Sequence, residues 1–168
     1  MVLGLVLMRL RSRFPHDVPA KGPEAVVTLG LVAVAGPLVA LNPSWEHIAV
    51  GTRRLLNVLP YVYCLPAALA VLAARELRRA GADVWLSRAA GGLGVGLGFV
   101  LVNLLVRQGF HGTYLDTGPL SVPENYTYSL AWVLYGAALL VAGVAGGGRL
   151  VRWASLVVML LAVGKVFL

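Results

Sequence analysis

Five long apolar runs, at 25–41, 55–74, 89–106, 125–145 and 151–168, dominate this chain, and arginines stand at or near the ends of most of them. A helix needs about 20 apolar residues to cross a hydrocarbon core. Inside that core every backbone N–H and C=O must be satisfied within the protein, which leaves helices or closed barrels. Length and flanking charge select helices here, since periodicity says little in runs this uniform. Composition agrees: 59% of the 168 residues are hydrophobic and 12% charged, with a mean hydropathy of +0.83. Soluble domains run nearer half apolar and a quarter charged. The expected fold is therefore all-α: a polytopic helical membrane protein forming a single transmembrane domain over 1–168.

The net charge of +7 would suggest nucleic acid in a soluble protein. These basic residues flank apolar runs and form no basic face with interleaved aromatics, so nucleic acid is excluded as a partner and the bilayer takes its place. Arg9, Arg11, Arg13, Lys21, Arg75, Arg78, Arg79, Arg88, Arg149 and Arg152 fall on one side of the spans; Arg53, Arg54 and Arg107 fall on the other. The ten-to-three bias places the N-terminus in the cytoplasm of a multi-pass inner-membrane protein. Both ends read as cut: "MVLGLVLM" is too short to span and "GKVFL" closes on no polar tail. The expectation is a fragment whose partners are further helices of a longer parent chain or of other subunits. Cys64, the one cysteine, reads as a small buried hydrophobe.

The loops differ in kind. "GGGR" at 146–149 predicts a tight turn and antiparallel neighbours on either side. "ELRRAGADVWLSR" has room for a short amphipathic piece with Trp85 at the interface, and "NPSWEHIAVGTRR" reads as an interfacial helical turn anchored by Trp45. A long outer loop from Arg107 to Pro123 ends in "SVPE", a capping box with Ser121 as cap, Pro123 in the first turn and Glu124 reaching back.

Two features in the spans bear on packing and function. Ala90, Gly94 and Gly98 recur at four-residue spacing, with Gly92 and Gly96 on a neighbouring stripe. Small residues so spaced let helix backbones approach closely in lipid; a flexible gating helix is the alternative. Pro60 and Pro66, with Asn57, Tyr61 and Tyr63 near them, predict a bent second span, a feature of transporter sites as well as of ordinary packing. Placing the remaining polar residues by depth brings Asn57, Asn103, Arg107, His111, Glu124, Tyr128 and Lys165 to the outer end of the spans. Lys165 either snorkels to the headgroups or pairs with Glu124. Functionally, Arg107 and Lys165 would attract an anionic group, with Glu124 and His111 handling protons. A His47–His111–Asp116 metal site and an Asp116–Glu124 carboxylate pair are conceivable, yet nothing in the spacing requires either; no metal and no cofactor are expected.

No nucleophile elbow, nucleotide fingerprint or metalloprotease motif is present, and the reading leans away from an enzyme. "RQGFHG", "ENYTYSLAWVLYGAALLVAG" and "GKVFL" resemble the C-terminal part of a family of bacterial membrane proteins, domain of unknown function 2339. The resemblance is carried by Arg107, Phe110, His111–Gly112, Glu124, Tyr128–Ser129, Trp132, Gly136 and Lys165–Phe167, over about 89–168. It implies a larger many-helix protein and no particular chemistry. Three functions stay open: a transporter or permease component, an outer-face enzyme acting on envelope lipid or glycan, and a structural or assembly subunit. The leaning is to an envelope-related membrane protein with the polar cluster as its candidate site.

Overall fold

A computed structural model describes residues 3–4, 6–7, 22–51 and 57–167. The residues that carry part of the charge-bias argument (Arg9, Arg11, Arg13, Lys21, Arg53 and Arg54) and the start of the second run lie outside these. The described chain is all-helical: α1 (Gly22–Ala40), α2 (Leu65–Arg79), α3 (Val84–His111), α4 (Val122–Ala145) and α5 (Arg149–Phe167), with a π-helical turn, Pro60–Cys64, leading directly into α2. Among the described residues the only strand-like pairing is an isolated bridge, Ala49 with Tyr114. The helices α3 and α4 are each long and apolar enough to cross a membrane.

The bundle is built in two pairs. α3 lies along α2 and α5 along α4, with a narrower α3–α4 contact joining them. Each junction carries one hydroxyl donated to a backbone carbonyl of the neighbouring helix. Ser87 Oγ reaches Ala74 O at 3.0 Å, Tyr135 Oη reaches Val95 O at 2.7 Å, and Ser155 Oγ reaches Gly136 O at 2.8 Å. Such bonds and close backbone approach hold helices where lipid removes the hydrophobic drive between them. The buried side chains on α2 are Ala70, Ala73, Ala74 and Leu77, three of the four small, while Leu29, Val141 and Leu160 are about 70% exposed. So many large apolar side chains facing outward suit contact with lipid.

Several sequence expectations change here. α3 is 28 residues long, roughly 42 Å at 1.5 Å per residue, so it overshoots a hydrocarbon core of about 30 Å. Arg107 to His111 are therefore the last turn of α3, and the loop begins only at Gly112, whose φ of 74° ends the helix while its N–H reaches Gln108 O. The expected amphipathic piece around Trp85 is also absent as a separate element: α2 runs to Arg79 and α3 starts at Val84, with a turn through Gly81 at φ 68° between. The polar letters of "DVWLSR" concealed a helix start because Ser87 turns inward onto α2.

Other expectations hold. Asn42 to Glu46 forms a helical turn, with Trp45 N–H and Glu46 N–H both donated to Asn42 O. α4 and α5 are antiparallel across the glycine turn at 146–148, where Gly147 has φ 64°. Pro60 opens the π turn and Pro66 follows it in the first turn of α2. Pro66 has no N–H for the carbonyl one turn back, and the ladder widens there instead of continuing regularly. Tyr63, inside that turn, donates its hydroxyl to Leu38 O at 3.3 Å, and Trp45 Nε1 donates to Ala40 O. Two of the end carbonyls of α1 are thereby satisfied.

Candidate functional site at one end of the bundle

The polar residues gather where α3 ends and α4 begins. Ser121 is the N-cap of α4 and the capping box is complete: Glu124 N–H is donated to Ser121 Oγ, and Ser121 N–H to Glu124 Oε2, both at 3.4 Å. Holding Glu124 in the first turn of α4 also sets its carboxylate at the positive end of that helix's dipole. The side chain is fully buried and faces α3. Arg107 Nη1 donates to Glu124 Oε1 at 3.1 Å, and His111 Nε2 donates to Glu124 Oε2 at 2.9 Å. Arg107 and His111 are four apart, one turn of α3, so both reach the same carboxylate.

Arg107 does more than pair. Its Nε donates to Leu115 O at 2.6 Å and its Nη2 to Gly118 O at 3.2 Å. All three guanidinium nitrogens therefore have protein acceptors, and the loop is folded over the arginine. Gly118, at φ 82°, lies against the His111 ring; a Cβ there would come within 3.1 Å of Cε1. This loop is also tied to the segment after α1. Val50 N–H is donated to Thr113 O at 3.0 Å, and His47 stacks on Tyr114 at 4.3 Å with planes 4° apart. His47 Nδ1 donates to Asp116 Oδ2 at 2.8 Å.

The other expected residues form two further networks. Lys165 does not pair with Glu124, whose two oxygens are already engaged. Its Nζ donates to Asn125 O at 3.0 Å and lies 4.9 Å from the Tyr128 ring centroid and 5.1 Å from that of Trp132. Cation–π contact of this kind supports a charge that lipid would not. Trp132 in turn donates Nε1 to Asn103 Oδ1 at 2.9 Å. Asn57 stands on the opposite side of α3, where Nδ2 donates to Gln108 Oε1 and Oδ1 accepts from Leu59 N–H; Gln108 Nε2 donates to Gly51 O. Gln108 and Trp132 were missing from the sequence-derived cluster. Position gave a signal for both: Gln108 follows Arg107 and must face another way around α3, and Trp132 sits one turn from Tyr128.

His47 and His111 do not share a site, since the first binds Asp116 and the second Glu124. Asp116 and Glu124 likewise answer to different histidines. Among the described residues no three metal-ligating side chains come together. On the packing stripe, Ala90 is buried, and Gly94 abuts α2: a Cβ there would lie 2.7 Å from Val71 Cγ2 and 3.0 Å from Ala67 O. Gly98 abuts Tyr135 of α4. Gly92 and Gly96 are exposed with open space around them, because a two-residue offset turns them about 200° from the Gly94 face. Among the described residues the stripe they were expected to form meets no neighbouring helix.

The family described as "Predicted membrane protein (DUF2339)" matches residues 1–168. The chain belongs to this family. The match takes in the first two runs as well, where the sequence resemblance rested on hydropathy alone. No curated protein and no solved structure matches the chain. As a family member with two spanning-length apolar helices, it is a membrane protein.

The loop contact predicts a titration. The His47 hydrogen bond, foremost, together with the positive charge of Arg107, holds the Asp116 carboxyl below the usual aspartate range. A carboxyl depressed in the folded state stabilises that state above its unfolded pKa, and the contribution is lost as pH falls through the folded value. The Asp116 carbonyl-carbon signal in an NMR titration is thus expected to move at a lower pH than in unfolded peptide, and His47→Ala should raise the midpoint. An unchanged midpoint in His47→Ala would remove the histidine as the cause.

Proposed function

We propose that the chain is a structural or assembly component of the bacterial envelope: a five-span inner-membrane bundle, N-terminus inside, whose outer polar cluster locks helix ends and loops together. The charge bias across the loops supports the orientation, and α1, the π turn with α2, and α5 supply the three spans besides α3 and α4. One observation carries the functional reading. Arg107, His111, Glu124 and Ser121 direct their polar groups at one another and at the carbonyls of Leu115 and Gly118. A site for substrate or ion needs a group aimed at the visitor; here the strongest donors and the buried carboxylate are committed to holding the loop on α3 and α4.

The experiment replaces the ionic cluster by apolar side chains of similar size, Arg107→Met, His111→Leu and Glu124→Leu together, in the full-length gene. A lock tolerates the exchange: the protein should insert, accumulate and complement a deletion strain like wild type. Normal insertion and abundance with failed complementation would sink the structural reading in favour of a working site. Transport is the second reading, favoured by the π turn at Pro60–Cys64, since widened turns recur at functional breaks in helices.

A further inference from the structure

A second polar feature lies at the far end of α4 and α5 from the Glu124 cluster. Arg149, Arg152, Trp153 and Leu156 line an open cleft of about 300 Å³. Their positions are i, i+3, i+4 and i+7, a single stripe along α5. Among the described residues neither guanidinium has a carboxylate or carbonyl partner, unlike Arg107, Arg78 and Arg79, each of which does. The cleft is nevertheless built. Gly143 of α4 lies against the stem of Arg152, where a Cβ would come within 2.7 Å of Cγ. That contact sets the base of the Arg152 side chain against α4, and the residue remains exposed. The first intrahelical bond of α5 is Arg152 N–H to Gly148 O at 3.2 Å, so the N–H groups of Arg149, Leu150 and Val151 are the unpaired first-turn donors beside the arginines.

The order along the stripe is charge, charge, indole, aliphatic, over roughly 10 Å of helix. A phospholipid lying against a helix presents the matching sequence: phosphodiester, glycerol and carbonyl region, acyl chain. Tryptophan favours the middle of these, and Trp153 is 69% exposed there. The geometry points to a phosphate-ester site in this cleft, occupied by the headgroup of an anionic phospholipid of the inner leaflet, with both guanidinium groups and the α5 N-terminus on the phosphate and Leu156 against the acyl chain. The inference rests on the spanning orientation proposed above, which places 146–149 at the cytoplasmic surface.

The test uses the full chain purified in uncharged detergent, titrated with dioctanoyl phosphatidylglycerol, dioctanoyl phosphatidylcholine or inorganic phosphate. The readout is intrinsic tryptophan fluorescence, with Trp153→Phe identifying the share due to Trp153. Phosphatidylglycerol is expected to bind at least tenfold more tightly than phosphatidylcholine. The affinity should fall about fivefold for each arginine removed, in Arg149→Gln and Arg152→Gln. Arg75→Gln with Arg88→Gln, on the helices either side of the neighbouring inner turn, should leave the preference intact. Should Arg152→Gln disturb the α4–α5 contact, Arg149→Gln alone still decides, because that residue is exposed. Equal affinity for the two lipids, or a preference that survives in Arg149→Gln, would overturn the site. Phosphate binding as tightly as phosphatidylglycerol would overturn the lipid assignment and leave a free-phosphate site. In a Cys64→Ser background, Leu120→Cys and Ala145→Cys report the orientation separately: an impermeant maleimide should label only Leu120→Cys in intact cells. Labelling of Ala145→Cys would strike the spanning orientation, whereas correct labelling with no lipid preference would strike the cleft alone.

Discussion

Replacing Glu124 by leucine alone is expected to destabilise the protein by about 3–5 kcal/mol, the cost found when one partner of a buried ion pair is removed. Glu124 is fully buried, and it accepts from Arg107, His111 and the Ser121 backbone. Without the carboxylate, Arg107 keeps its charge with only the Leu115 and Gly118 carbonyls and the His111 ring to face, and the cap of α4 loses its reciprocal bond. The Arg107→Met/Glu124→Leu pair should recover more than half of that loss, because no unpaired charge remains and similar volume fills the space. Reversible unfolding in mixed micelles, run as a double-mutant cycle, reads both values. A single variant within about 1 kcal/mol of wild type would mean that water reaches the cluster and screens it as it does surface pairs.

That prediction rests on a cluster whose members were legible in the sequence but whose partnerships were only partly so. Depth along the helices is a one-dimensional property, and counting 1.5 Å per residue from an arginine-marked boundary was enough to bring Arg107, Glu124 and Lys165 to one level. Which of them touch depends on rotation about each helix axis. In runs as uniformly apolar as these, no amphipathic stripe records that rotation. Lys165 and Glu124 were thus equally eligible partners by depth, and helix phase put the lysine over Tyr128 and Trp132 instead. The capping box was legible in full because it is local: Ser121, Pro123 and Glu124 interact across three residues, with no tertiary information required. The same limit explains Asn57, which meets Gln108 on the other side of α3 from Glu124. Element existence followed from apolar length. Element ends did not, since Ser87 and Arg107 to His111 look like loop residues until their inward partners are known.

Helix phase also governs the second large effect. Gly94→Ala is expected to cost about 1–3 kcal/mol, the range for inserting volume into a close-packed contact. Gly92→Ala and Gly96→Ala should stay within about 0.5 kcal/mol of wild type, as exposed sites do. The three substitutions add the same methyl to the same helix, and alanine is the better helix former at all three; only the face differs. At Gly94 the new Cβ would meet Val71 Cγ2 at 2.7 Å, Ala67 O at 3.0 Å and Val71 N at 3.3 Å. Two of those three atoms are backbone, so no rotamer change on α2 can relieve the contact and the helices must separate. Separation stretches the Ser87–Ala74 bond one and a half to two turns away, which is the only hydroxyl-to-carbonyl bond joining α2 to α3 among the described residues. At Gly136 the nearest atom is the flexible Met159 Cγ at 2.9 Å and the nearest backbone atom is at 3.5 Å. Gly136→Ala should therefore fall between the two extremes. Unfolding midpoints ranked Gly94, Gly136, then Gly92 in decreasing damage would establish that backbone proximity, and not the count of small residues, makes α3 a packing helix. Equal damage at Gly92 and Gly94 would show instead that Gly92 also carries a helix contact, one made by a helix from outside these residues.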